Sequence, residues 1–330
     1  MKQEPTQKEL SVLLQKYFPK REINSIKRIT EGYSHYMYEC KTTQGTYIIR
    51  ISYNKNPRFG IAKEIWVLNQ YRTAGVPVPE VIAWNEGEKY DFMIMKKLEG
   101  TPADALWNTL KRQEQEAIAK EIGKILGKMH SITFPHFGHI EKNGVSNNDF
   151  SFRKQSDIAT ERNEWAHILY RDGLEDLSLV IAQELTTPEQ SGAIVQFLHN
   201  RAHVLKKSTP VLTHGDFQLS HIFLQKKKNM WTIVGLIDFE FAESYAREFD
   251  FVKLHRAGIL DNENIKKAIL EGYGMKHITK EFDTRVLLCR IVQDIGFAGH
   301  VAKAGNKTEA HKAIHNVLKT IQNETKGATP

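Results

Sequence analysis

The 330-residue sequence predicts an α+β chain of two unequal lobes. An antiparallel sheet with one inserted helix should form the first, and a larger, mostly helical unit the second. Three observations predict this. Short runs of β-branched and aromatic residues separated by turns fill the first hundred positions. Stretches with apolar residues at helical spacing dominate from Thr101 onward. Strand signals then return only as a short pair, "HIFLQ" and "MWTIVGLIDFE", around the turn "KKKN". The expected division is residues 1–97 for the first lobe and 98–330 for the second, with a disordered tail near 324–330.

Taken in order, "ELSVLLQKY" reads as an opening helix. "SIKRITEGYSHYMYECKTTQGTYIIRIS" reads as a strand, a hairpin turning near Gly45 and another strand. In "GIAKEIWVLNQYRTAG", Ile61, Ile65 and Leu68 share a helical face, and Gly75 supplies a stop. "VPVPEVIAWNEGEKYDFMIMKKLEG" gives two more strands around "NEGE", and "MKKLEG" crosses to the second lobe. Helices follow in "EQEAIAKEIGKILGKMHS", "LSLVIAQEL", "AIVQFLHNRAHVL" and "TRVLLCRIVQDIGFAGHVA".

Composition narrows the function classes. With 41% hydrophobic and 26% charged residues, the balance is that of a globular chain. No run approaches 18 consecutive apolar residues, so no membrane partner is expected. "MKQEPTQKEL" lacks the apolar core of a signal peptide, and Cys40 and Cys289 are too few for a disulfide framework; a cytoplasmic location is expected. The net charge of +7 is scattered, with the densest run at Lys226 to Lys228, so no nucleic-acid partner is expected either.

The stretch "VLTHGDFQLSHIFL" places His214, Asp216 and His221 between two apolar runs. Asp238 follows the apolar "TIVGLI", so its carboxylate emerges at a strand end. A hairpin joining these segments brings two carboxylates to one crevice. Phosphoryl transfer needs such a pair, one accepting the hydroxyl proton and one holding Mg²⁺. A zinc hydrolase built on His214 and His221 fits less well, because the helical HExxH spacing is absent.

These residues resemble the aminoglycoside phosphotransferase family, small-molecule kinases with a protein-kinase-like fold. "HGDFQLSH" matches its catalytic loop at His214 and Asp216, with His221 where most members have Asn. "LIDFEFAESYAREFDFVKL" matches its second block, with Asp238 and Asp250 twelve residues apart. "AGVPVPEVIAWNEGEKYDFMIMKKLEGTP" is similar to the approach to its hinge, and "LGKMHSITFPHFGHI" to the stretch after its first C-lobe helix. The pattern is closest to the hygromycin phosphotransferase branch.

The resemblance implies ATP and Mg²⁺ as cofactors and a small-molecule hydroxyl as acceptor, in a monomer or homodimer. Asp216 would be the catalytic base and Asp238 a metal ligand. His214 would hold the loop, as a plain core histidine also would. Asp250 would brace the loop or simply cap a helix. Gln218 would approach the γ-phosphate or sit solvated. Arg50 stands where the family has a strand Lys, and Glu64 is its expected partner; the neighbouring Lys63 would face elsewhere. Backbone N–H groups from Gly32 to His35, Gly32 and Ser34 among them, would cover the phosphates. Adenine would stack between the lobes with hydrogen bonds to backbone near Met95 to Leu98, and Ile49 and Ile237 would be either apolar walls of that site or strand core.

His221 leaves three readings open: a ligand for a nitrogen-tolerant ion such as Mn²⁺, no metal role, or lost catalysis with nucleotide binding kept. For a polycationic aminoglycoside acceptor, Glu240, Glu243, Glu248 and Asp149 are candidate partners, or else a solvated face. A regulatory pseudokinase and a metabolic kinase of choline, homoserine or a thiosugar are the rival functions.

Overall fold

A computed structural model describes residues 4–19, 22–30, 35–53, 56–144, 146–147, 165–205, 208–275 and 280–326. The chain opens with α1 (Gln7–Tyr17), whose first turn is closed by a reciprocal capping box between Thr6 and Glu9. Strands β1 (Ile23–Ile29), β2 (Tyr36–Thr42) and β3 (Gly45–Ser52) follow. Helix α2 (Ile61–Thr73) comes next, then β4 (Val81–Glu86) and β5 (Asp91–Lys96). These strands form one antiparallel sheet in the order β1-β2-β3-β5-β4.

Strand alternation decides which face each residue serves. Tyr47, Ile49 and Ile51 point to one side of β3 and pack with Leu10, Leu14 and Phe18 under α1. Ile48 and Arg50 point to the other, and Arg50 lies between Met37 and Met93 in the register. Ile49 is therefore strand core, and Ile48 is the residue that faces the lobe interface.

Beyond the crossing come β6 (Thr101–Pro102), α3 (Ala103–Trp107), α4 (Arg112–Met129), β7 (His139–Ile140), β8 (Ser146–Asn147), α5 (Trp165–Ala182) and α6 (Pro188–Arg201). After them run β9 (Pro210–Thr213), β10 (Ile222–Lys227), β11 (Met230–Leu236) and β12 (Glu243–Ala246). Helices α7 (Val252–Arg256), α8 (Glu263–Tyr273), α9 (Lys280–Lys303) and α10 (Lys307–Lys326) complete the chain. The architecture is the two-lobed α+β fold expected from the sequence. Of the predicted tail, Glu324 to Lys326 close α10, and 327–330 lie outside the described residues.

More strand is present in the second lobe than the single expected pair. β10 pairs with β11 and also with β6, while β9 pairs with β12. The extra ladders are two to four residues long, too short for a periodic signal, and their partners lie up to 123 residues away. Helices α4 and α8 cross backbone to backbone: a Cβ on Gly123 would stand 1.9 Å from the Ile269 carbonyl oxygen, and one on Gly272 2.0 Å from that of Lys120.

Buried charge ties the lobes together. On α2, Lys63 is 1% exposed and donates to the carbonyls of Glu240 (3.1 Å) and Ala242 (3.0 Å). Its ammonium also lies 3.5 Å from Glu243 Oε1. Arg58 Nε donates to that same oxygen at 3.1 Å, as does His139 Nδ1, and the Ile140 amide donates to Oε2 at 2.8 Å. Burial pushes the Lys63 ammonium down from its ordinary value, opposed by Glu243. Burial would raise the Glu243 carboxyl, but Lys63, His139 and Arg58 hold it below its ordinary value.

Lys63→Met removes one partner from this hub and leaves two carbonyls unsatisfied. Such losses cost ~3–5 kcal/mol, and because Arg58 and His139 remain on Glu243, a loss of about 3 kcal/mol is expected in urea unfolding.

Candidate active site

The lobes enclose a cleft of about 700 Å³. Met37, Ile48, Met93, Met95, Leu98 and Ile237 supply apolar lining; Arg50, Glu64, His35, His221, Asp238 and Glu240 supply the polar lining. Leu98, in the crossing, leans on the bare backbone of Gly235, where a Cβ would meet its Cδ1 at 2.3 Å. Gly32 and Ser34 lie outside the described residues, as does Asp149.

Arg50 is 4% exposed, and its Nη2 pairs with Glu64 Oε2. Its Nε is buried with no hydrogen-bond partner among the described residues. Burial raises the Glu64 carboxyl, opposed by Arg50. A buried cation with an unused donor in a cleft is suited to an anionic oxygen.

The loop after β9 is fixed from behind. Asp250, 1% exposed, accepts from the His214 amide (2.8 Å, Oδ2), the Gly215 amide (2.9 Å, Oδ1) and His130 Nε2 (3.0 Å, Oδ2). His214 is fully buried; its Nε2 donates to the Ile237 carbonyl at 3.0 Å, while Nδ1 accepts from the Asp216 amide at 3.3 Å. Burial pushes that imidazole down to about 4, so it is neutral at physiological pH. Gly215 has φ +80°, and a Cβ there would lie 2.0 Å from the Phe241 carbonyl oxygen. Only glycine tolerates both the dihedral and the approach.

Asp216, His221 and Asp238 then converge, with one ligand atom from each lying within 4.8 Å of the others. His221 Nδ1 donates to the Asp216 carbonyl at 2.9 Å, so in the neutral ring Nε2 is an acceptor, and it lies 3.5 Å from Asp238 Oδ2. Gln218 Nε2 donates to Asp216 Oδ2 at 3.1 Å and lies 3.1 Å from His221 Nε2. Asp238 sits at φ +72°, unusual for a residue with a side chain, and burial raises its carboxyl. One imidazole nitrogen and two carboxylates make a donor set that fits a divalent cation.

Two side-chain roles were not anticipated from sequence. Lys253 Nζ lies 2.9 Å from Asp216 Oδ1. Helical spacing offered the signal, since Lys253 is three residues beyond Asp250 and shares its face. His35 Nε2 lies 2.7 Å from Glu240 Oε2 across the lobes, a pairing no local pattern reveals. The three glutamates expected on a solvated face or in an acceptor site are instead buried and internally paired. Glu240 meets His35; Glu243 meets Lys63, Arg58 and His139; Glu248 meets Arg285 at 2.8 Å and Arg247. Glu240 lines the cleft, Glu243 opens β12 against the first lobe's cations, and a carboxylate so buried persists only with a partner.

The model of the phosphotransferase enzyme family matches residues 25–286 of the chain. Among solved structures, the chain is similar to the GDP complex of wild-type aminoglycoside 2'-phosphotransferase-IIIa, at 14% identity and TM-score 0.68 over 97% of this chain and 100% of that one. It is similar to a thermostable mutant of aminoglycoside phosphotransferase APH(4)-Ia in ternary complex with ADP and hygromycin B, at 14% identity and TM-score 0.65 over 97% and 99%. The streptomycin–ATP ternary complex of APH(2")-IIa is likewise similar, at 17% identity and TM-score 0.65 over 96% and 97%. At these identities the structural likenesses speak to the fold.

Asp250→Asn presents an NH₂ to donors that now meet an oxygen. A loss of about 2 kcal/mol is expected, together with faster hydrogen exchange at the His214 and Gly215 amides by NMR; unchanged protection there would show the loop is held otherwise.

Proposed function

The chain belongs to the phosphotransferase enzyme family, and from that premise we propose that it transfers the γ-phosphoryl group of ATP to a hydroxyl of a small molecule. The observation that carries this reading is the convergence of Asp216, His221 and Asp238 at one end of a cleft lined by Arg50. Asp216 accepts the acceptor's hydroxyl proton as its oxygen bonds to the γ-phosphorus, and the bond from that phosphorus to the β,γ-bridging oxygen breaks to release ADP. Arg50, oriented by Glu64, directs its unused Nε–H to phosphate oxygens. The apolar lining at Met95, Leu98 and Ile237 receives the adenine.

Asp238 and His221 would hold a divalent cation, Mg²⁺ or, given the imidazole, Mn²⁺. When bound, such an ion neutralises charge on the phosphates. His214 and Asp250 are positioning residues that keep Asp216 at the head of its loop. An aminoglycoside-like antibiotic or related compound as acceptor is supported by the hygromycin B and streptomycin held by two structural neighbours.

A pseudokinase reading rests on His221 and Arg50 standing where the family resemblance expects Asn and Lys. The convergence of His221 Nε2 and Asp238 Oδ2 to 3.5 Å and the Arg50–Glu64 pair favour the catalytic reading instead.

Asp216→Asn should lower transfer by about 10²–10⁴-fold while nucleotide affinity, read by calorimetry, stays within about twofold of the parent. Retained turnover would remove Asp216 as the base. ADP release from His221→Asn, measured in Mg²⁺ and Mn²⁺, should move preference toward Mg²⁺, because an amide oxygen replaces the imidazole nitrogen. An unchanged metal preference would take His221 out of the ligand set.

A further inference from the structure

Lys253 lies in short helix α7 and brings its ammonium to 2.9 Å from Asp216 Oδ1. The other oxygen, Oδ2, accepts from Gln218. A hydroxyl delivering its proton to Asp216 therefore arrives beside a fixed positive charge. Among the described residues Lys253 has no other ion pair, and its side chain is 28% exposed. An ammonium carries three donors, so those not used on Asp216 face whatever arrives.

The carboxylates that might offset this charge are already engaged. Glu240 is paired with His35, and Glu243 and Glu248 with lysine and arginine cations of the chain itself. What the same surface does offer is aromatic. Phe241 is 41% exposed, its backbone touches the Gly215 turn, and its ring meets Phe59 edge-on at 5.6 Å. An acceptor approaching Asp216 thus meets a cation.

We propose that Lys253 sets the acceptor class: the hydroxyl phosphorylated at Asp216 has no ammonium group beside it, and the acceptor offers Lys253 a neutral or anionic oxygen. This rests on the phosphotransferase reading and, within it, turns from an aminoglycoside with ammonium groups at the reacting hydroxyl to related compounds uncharged or anionic there. The physical basis is repulsion. Two cations a few ångströms apart are disfavoured even with solvent screening, and the Lys253–Asp216 pair cancels the attraction the carboxylate would exert alone.

The test holds the hydroxyl framework constant and varies charge. One set is kanamycin and its N-acetylated and N-succinylated forms; the other is methyl glucosaminide, methyl glucoside and methyl glucuronide. ADP release gives kcat/KM for the parent, Lys253→Met, Lys253→Arg, Lys253→Glu and Asp216→Asn. The parent and Lys253→Arg should favour neutral and anionic members over cationic ones by at least about tenfold, equal to ~1.4 kcal/mol. Lys253→Met should erase the preference and Lys253→Glu should reverse it.

Three results would overturn the proposal: parent turnover of cationic members equal to their neutral counterparts, charge ratios untouched by the Lys253 changes, or one uniform loss for every acceptor in Lys253→Met. The last would assign the ammonium to the transferring phosphoryl group. Full activity in Asp216→Asn would strike the base assignment while leaving the Lys253 charge ratios readable. No turnover of any member by a parent that binds ATP would remove the phosphotransferase reading and this proposal with it.

Discussion

The site depends on a single buried carboxylate. Asp250 is almost wholly out of water and stays there by accepting from two consecutive backbone amides and one imidazole. An anion in that position without those donors would be strongly unfavourable, so the arrangement is all or none. Because the amides belong to His214 and Gly215, satisfying Asp250 fixes the start of the loop. Gly215 then turns through a left-handed conformation against the Phe241 carbonyl, and Asp216 emerges next in chain. His214 closes the other side by reaching the Ile237 carbonyl, one residue before Asp238. Two carboxylates far apart in sequence are thereby aimed into one crevice by backbone contacts.

A second constraint joins the lobes. Adjacent residues of α2 divide the labour: Glu64 meets Arg50 at the cleft, and Lys63 reaches across to the carbonyls of Glu240 and Ala242. Those carbonyls lie in the turn that begins at Asp238. The position of α2 and the strained backbone at Asp238 are thus linked by one ammonium. The cluster around Glu243 makes that link costly to break, since each member is desolvated and each is satisfied by another.

The readable parts of this architecture were local ones. The hairpins, the helical stripes and the stop at Gly75 follow from residues within one turn or strand of each other. So does the loop from His214 to His221, whose chemistry is written in eight consecutive residues. Residues that act across the fold were harder to see. Ile49 and Ile48 are equally apolar, and only the strand's register with α1 on one face separates core from cleft. Glu240, Glu243 and Glu248 looked like a solvated run because charge in sequence carries no sign of its partner. Those partners, His35, Lys63 and Arg285, lie between 37 and 205 residues away. Lys253 is intermediate, legible by helical spacing from Asp250 but meaningful only once α7 is placed beside the loop.

By itself, the sequence determined the fold class, the strand-to-helix division and the two loops that carry Asp216 and Asp238. Propensity, periodicity and turn chemistry act over short separations, and these features need nothing longer. The tertiary structure decided what surrounds those carboxylates: His221 Nε2 brought beside Asp238, three glutamates engaged by internal partners and an ammonium placed on Asp216. Electrostatic surroundings depend on distance in space and on burial, and neither exists until the chain has closed on itself.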